Sequence, residues 1–145
     1  MAIEEIPARF LGAIARGDFE TARSLAAPNF SFSTARSGGV ALEQWLDIYA
    51  RLLPAMPDLC FTVTEVKANG DRVTGSLRTT GTHTGTLDLP MFGVEGLAAT
   101  GAAVDLPAEH FEMTIADGRV RSIVSHPPDD GGLTGLLRQL GAAPG

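Results

Sequence analysis

Residues 60–85 read CFTVTEVKANGDRVTGSLRTTGTHTG, and this stretch decides the fold. Phe61, Val63 and Glu65 alternate with Thr62, Thr64 and Val66, and a second, Thr-rich run over 73–83 follows Asn69-Gly70-Asp71. Period-two alternation marks strands with two unlike faces, and Asn-Gly tolerates the positive φ of a tight turn, so the segment predicts a β-hairpin. Its second strand ends in Gly81-Thr82-His83-Thr84-Gly85, an imidazole between two glycines that let other groups approach closely. A pocket is expected at that end.

Upstream of the hairpin, 40–53 carries Leu42, Trp45, Leu46, Tyr49, Leu52 and Leu53 as an apolar stripe at helical spacing, with Pro54 and Pro57 as its stop. A helix with such a face must cover something apolar, and the following sheet is the available partner. Trp45 and Tyr49 lie one turn apart and reach one place, whether sheet or ligand. Before it, Ile3, Ile6, Phe10, Leu11 and Ile14 predict a helix over 3–16, with Pro7 near its start, where proline sacrifices no hydrogen bond. Gly17 ends that helix and Asp18 caps a shorter one over 19–25. Residues 29–32 alternate as a short strand or bend, and Ser37-Gly38-Gly39 reads as a flexible join.

Downstream, 85–106 mixes glycines and Pro90 with scattered apolar residues, the composition of a long loop or interrupted strand, and Met91 and Phe92 are expected to fold over an apolar space. Residues 108–115 then present His110, Glu112 and Thr114 on one side and Phe111, Met113 and Ile115 on the other. Asp117-Gly118 turns the chain into a return strand, 119–126, on which Val120, Ser122, Val124 and His126 share a face. Pro127-Pro128 ends it, and a last helix over 133–140 packs Leu136, Leu137 and Leu140. Helices, a strand meander and a closing helix make an α+β fold, and 145 residues make one domain spanning 1–145.

Composition narrows the function. An apolar fraction of 44% and a charged fraction of 19% belong to a globular chain, and a net charge of -6 argues against nucleic acid or an anionic membrane as partner. The single cysteine, Cys60, excludes a disulfide framework, and three histidines without local ligand spacing give no expectation of a metal. No glycine-rich dinucleotide word follows a strand and no GxSxG elbow occurs. The N-terminus opens MAIEEIPARF, and no apolar run approaches the roughly 18 residues of a membrane span, so a cytoplasmic protein is expected.

Four words, WLDIYARLLPAMPDLCFTV, VKANGDRVTGSLRTTGTHTGTL, ADGRVRSIVSH and LLRQLG, together resemble the SnoaL-like polyketide cyclases of the nuclear transport factor 2-like, ketosteroid isomerase-like superfamily. The resemblance covers nearly the whole chain. It implies a cone-shaped, curved, mostly antiparallel (mixed) sheet closed by N-terminal helices, a cystatin-like barrel around an apolar pocket, often in a homodimer. It also implies cofactor-independent aldol cyclisation of polyketide esters, with isomerases, dehydratases, hydroxylases and epoxide hydrolases as relatives. The family's pocket histidine falls on His83. The family's strand word hxWxxxD is altered: Val124 stands at the Trp position, and the acid has moved to Asp129 or Asp130 beyond Pro127-Pro128 or is missing.

Aldol cyclisation needs a base for the proton α to a carbonyl, a group to hold the enolate, and an acid for the new alkoxide. The candidates for proton transfer are His83, His126, Asp129 and Asp130. Trp45, Tyr49, Met91, Phe92, His110 and Val124 are the candidate substrate contacts. Asp105 and Glu109 are expected to be solvated, as charges before a strand commonly are. The expected substrate is an apolar, polyketide-like small molecule needing no cofactor. A binding or assembly domain that retains the cone without catalysis is the other expectation.

Overall fold

The central hairpin forms as its alternation dictates. In this computed structural model, which describes residues 2–34 and 37–142, β3 (Cys60–Asn69) pairs antiparallel with β4 (Arg72–Thr82). Asn69 sits opposite Arg72, and Gly70 turns the chain with φ +65°. One irregularity is absent from the alternation: Glu65 takes φ +56° where the register slips between Thr64 and Lys67. This bulge turns Val66, as well as Phe61 and Val63, toward the apolar side.

Upstream lie β1 (Ala26–Thr34) and β2 (Ser37–Ala41). Downstream lie β5 (Leu87–Leu89), β6 (Val94–Leu97), β7 (Ala103–Asp105), β8 (Glu109–Ala116) and β9 (Arg119–His126). The main sheet runs β2-β1-β9-β8-β4-β3 with β7 also on β4; β1 is parallel to β9 and the other pairings are antiparallel. The mixed α+β sheet is therefore the expected one. β2 and β3 end the path, and among the described residues no pairing between them closes it into the expected barrel.

Three segments depart from expectation. Ser37-Gly38-Gly39 is strand rather than flexible join, because β1 takes up its backbone in antiparallel register, Thr34 opposite Ser37 and Ser31 opposite Ala41. Residues 85–106 are not a long loop: β5 and β6 pair as a small hairpin over the turn Pro90–Phe92, and β7 returns to the main sheet. On β9 the register slips where Thr114 faces Ser122 and Ile115 faces Val120, leaving Arg121 as the extra residue. Val120 therefore shares the buried side with Ile123 and Ser125, while Ser122, Val124 and His126 face outward.

The helices are α1 (Ile6–Ala15), α2 (Phe19–Ser24), α3 (Leu42–Ala55) and α4 (Gly132–Gln139). Asp18 caps α2 as expected, accepting the Thr21 N–H at 3.2 Å and its hydroxyl at 2.7 Å. Pro54 does not stop α3; it lies in the last turn, and the Met56 N–H still donates to the Leu52 carbonyl. The GTHTG word fastens that end. Thr84 and Gly85 donate their N–H groups to the Ala55 carbonyl at 3.0 and 3.1 Å, and a Cβ on Gly85 would stand 2.2 Å from the Pro54 oxygen. Only glycine fits there.

Two apolar clusters lie on the inner side of the sheet. One packs Phe10, Phe30 and Trp45 with Ile123 and Met113, under α1 and the start of α3. The other joins Leu52 and Met56 to Leu87, Leu106, Leu136 and Leu137. Space remains between them.

Candidate active site

That space is a cavity of about 370 Å³, within the size range of small-molecule sites. Trp45, Tyr49 and Leu52 of α3 form one wall; Phe61, Leu77 and Thr79 of the central hairpin form the facing one. Leu133, Leu136 and Leu137 of α4 close an end, and Phe92 comes over from the small hairpin. A broader depression of about 580 Å³ beside Asn29, Asp117, Arg119 and Arg121 is more open, and those four side chains are exposed, so the deeper, more apolar cavity is the better site.

The aromatic wall is fixed by its neighbours. Trp45 stacks on Phe10 at 5.7 Å and on Phe32 at 5.2 Å. Tyr49 stands edge-on to Trp45, 5.2 Å between centroids at 80°, and to Phe61, 5.7 Å at 81°. Burial, and secondarily the Glu109 charge, pushes the Tyr49 phenol well above its ordinary value, so it stays a neutral hydroxyl.

Glu109 is the one carboxylate on the cavity wall among the described residues. It opens β8 on the same face as Phe111, Met113 and Ile115, paired across from Leu77 of β4. Its carboxylate accepts a hydrogen bond from the hydroxyl of Ser125, a buried β9 residue on that face. Removal from water raises its pKa, and the Ser125 hydrogen bond offsets only part of that rise. A carboxylate so placed is a stronger base than one in water, and its conjugate acid is available to return the proton.

The other predicted residues scatter. Trp45, Tyr49 and Phe92 line the cavity; Met91 does not, and with 47% of its surface exposed it faces solvent. His110 and His126 lie on the outward face of the sheet, opposite each other on β8 and β9, with their rings stacked at 5.9 Å. Val124 shares that outward face. Asp129 and Asp130 are exposed in the turn before α4, where Pro127, Pro128, Gly131 and Gly132 line the cavity but neither aspartate does. Asp105 is held outside by Arg78 through two 2.9 Å contacts.

His83 is fully buried yet not on the cavity wall. The Thr100 N–H donates to its Nδ1 at 3.2 Å and the Thr100 hydroxyl lies 2.9 Å from the same atom, so Nδ1 is the acceptor and Nε2 carries the proton. Nε2 has no hydrogen-bond partner among the described residues. Its main chain bonds both ways to the return segment: N–H to Ala102 at 3.0 Å, and carbonyl from Gly101 at 2.8 Å. His83 thus clasps the two ends of the excursion that carries Phe92.

Sequence reasoning missed Glu109 and Ser125. The signal for Glu109 was present, two residues before Phe111 on the apolar phase of its strand. The signal for Ser125 was masked by the bulge at Arg121. Among the described residues no group of three or more His, Cys, Asp or Glu side chains is placed to hold a metal ion, and no helix is long and apolar enough to cross a membrane.

Solved structures share this architecture. AclR from Streptomyces galilaeus, a candidate hydroxylase, superposes with a TM-score of 0.76 at 22% identity over 99% of this chain and 83% of its own. IdmH from Streptomyces antibioticus, a candidate polyketide cyclase, gives 0.74 at 23% identity over 97% of this chain and 99% of its own. An LEH-like epoxide hydrolase from M. tuberculosis gives 0.68 at 14% identity over 97% and 92%. At these identities the likeness is one of fold. No curated protein matches the sequence. The profile described as SnoaL-like polyketide cyclase matches residues 6–140, nearly the whole chain, and the chain belongs to the SnoaL-like polyketide cyclase family.

Proposed function

We propose that the protein is a cofactor-independent enzyme that removes a proton α to a carbonyl of an apolar, polyketide-like metabolite and closes a ring by intramolecular aldol addition. The observation that carries this reading is Glu109, a desolvated carboxylate held by Ser125 on the wall of an otherwise largely apolar cavity. In the proposed step the Glu109 carboxylate takes the α proton, and the C–H electron pair forms the enolate. The enolate carbon bonds to a second carbonyl carbon of the same molecule, and the resulting alkoxide takes the proton back from Glu109. Atoms and charge balance, and the base is regenerated.

Family membership supports the chemistry, and the apolar wall supports the substrate class. Isomerisation or dehydration would use the same base on a differently shaped substrate. The proposed quaternary state is a homodimer, for which the outward face bearing Val124, His110 and His126 supplies half-buried and exposed surface.

The test is incubation with flexible poly-β-carbonyl compounds, with cyclised product followed by chromatography and mass spectrometry. Wild-type protein should form ring product, Glu109→Gln should lose activity by about 10²–10⁴-fold, and His126→Ala should stay near wild type. Tight binding of these compounds with no turnover would favour the non-catalytic binding domain.

A further inference from the structure

Two histidines that the cavity leaves unused are brought together on the other face of the sheet. His110 of β8 and His126 of β9 are far apart in sequence, and strand pairing sets them directly opposite each other. Both are exposed, and their rings stack with 5.9 Å between centroids and 30° between planes. Directly opposite residues of an antiparallel pair start from Cβ atoms about 4.5–5.5 Å apart, so rotation about side-chain bonds alone can turn one nitrogen of each ring toward a common point. The next outward residue of β8, Glu112, adds a negative charge on the same face. Arg78, on the outward phase of β4, is already paired with Asp105 at 2.9 Å. Two exposed imidazoles in fixed register beside a carboxylate have the donor chemistry of a chelating pair.

We propose that His110 and His126 form a two-histidine site for a divalent d-block cation of the zinc and copper class, one imidazole from each strand. Each neutral imidazole donates a nitrogen lone pair, at about 2.0–2.1 Å for zinc, and a proton already on that nitrogen is released to solvent. Imidazole nitrogen suits zinc, copper and nickel, whereas magnesium and calcium take oxygen. The remaining coordination positions go to water, or to a second copy where the proposed homodimer covers this face. No local spacing reveals such a site, because its ligands meet only when β8 and β9 pair in this register. What the ion does follows from its place. Glu109 precedes His110 and Ser125 precedes His126, and these two neighbours turn to the cavity side, where they hydrogen-bond to each other. An ion on the outward face therefore clips together, from behind, the strand ends that carry Glu109 and Ser125.

Calorimetric titration of tag-free protein with zinc chloride near neutral pH tests the site. Wild type should bind, and His110→Ala and His126→Ala should each weaken binding by at least about 10–100-fold, the loss that even an outer partner of a metal ligand brings. His83 cannot stand in for either, since it is fully buried and its Nδ1 accepts from Thr100. Copper(II) gives a readout that does not depend on affinity: pulsed EPR should count two imidazole nitrogens on the ion in wild type and at most one in either variant. Both residues are exposed, so without metal both variants should keep the wild-type thermal midpoint, while zinc should raise the midpoint of wild type alone. Unchanged zinc affinity in both variants would overturn the site. Loss in only one of them, with a single imidazole nitrogen on copper in wild type, would overturn the chelate and leave one surface histidine.

Discussion

One side of the sheet is built in two ways. Toward α1 it is solid: Phe10, Phe30 and Trp45 interlock at 5.5–5.9 Å between ring centroids, and Ala13 and Ile14 have no exposed surface. Toward the end of α3 and α4 it is hollow: Leu52, Leu136 and Leu137 are just as well buried, yet they border about 370 Å³ of space. Both halves are apolar, so hydrophobicity does not separate them. What separates them is side-chain bulk reaching across the gap. Rings fill the first half; in the second, Leu77 and Thr79 of β4 and the leucines of α4 border the space without filling it, and the polar pair Glu109 and Ser125 occupies positions that apolar bulk takes farther along the same strands. The close-packed part of the core and the candidate site occupy different halves.

The contrast can be broken from either half. Glu109→Gln should have the largest effect, a loss of about 10²–10⁴ in turnover with the thermal midpoint retained; a large drop in midpoint instead would make Glu109 a structural residue. Phe10→Ala, in the solid half, should lose about 3–5 kcal/mol in chemical denaturation. Enlargement should then sort the halves directly. Ala13→Leu should destabilise by about 1–3 kcal/mol because nothing there can move aside, whereas Thr79→Leu should cost under about 1 kcal/mol and weaken ligand binding, since the new atoms enter space a substrate would use.

The smallest effect is a pH dependence. The folded carboxyl of Glu109 titrates above its ordinary value of 4.5 because burial penalises its charge. Over the interval between the ordinary and the raised value the native state binds more protons than the unfolded one, so wild-type stability falls as pH rises through that interval and levels off above it. Glu109→Gln lacks this slope. Denaturation curves of the two proteins should therefore converge at acid pH and separate toward neutrality, the variant being the more stable there; parallel curves would place Glu109 in water.

Most of the frame was legible because it depends on local rules. Asn69-Gly70 and Asp117-Gly118 turned their hairpins, the latter with φ +52° and +75°, and Asp18 capped its helix. The site was less legible, for three distinct physical reasons. The bulge at Arg121 inverts the phase of β9 between Val120 and Ile123, and an extra residue in one strand is visible only against its partner. Glu109 lies on the apolar phase, but a charge ahead of a strand is solvated in most proteins, and only the Ser125 hydroxyl and the surrounding wall keep this one inside. His83 has the sequence surroundings of a pocket residue, yet Thr100 takes its Nδ1, which makes it a clasp. The void itself has no sequence signature, since Leu136 and Leu137 look the same in a filled core as beside an empty one.

That clasp has a consequence for how the family fold tolerates change. His83 bonds through its main chain to Gly101 and Ala102, so the segment between them leaves and re-enters the body at a single point. For a loop whose ends are already pinned together, each doubling of length adds only about 0.6 kcal/mol of closure entropy. The tip of the small hairpin, with Met91 and Phe92, is thus the part of the chain that can be lengthened, shortened or exchanged while α3, β4 and β8 hold their places, whereas Leu87, Leu89 and Val94 at its base are buried in the second cluster. Reshaping that tip changes what covers the cavity while the wall that carries Glu109 stays as it is.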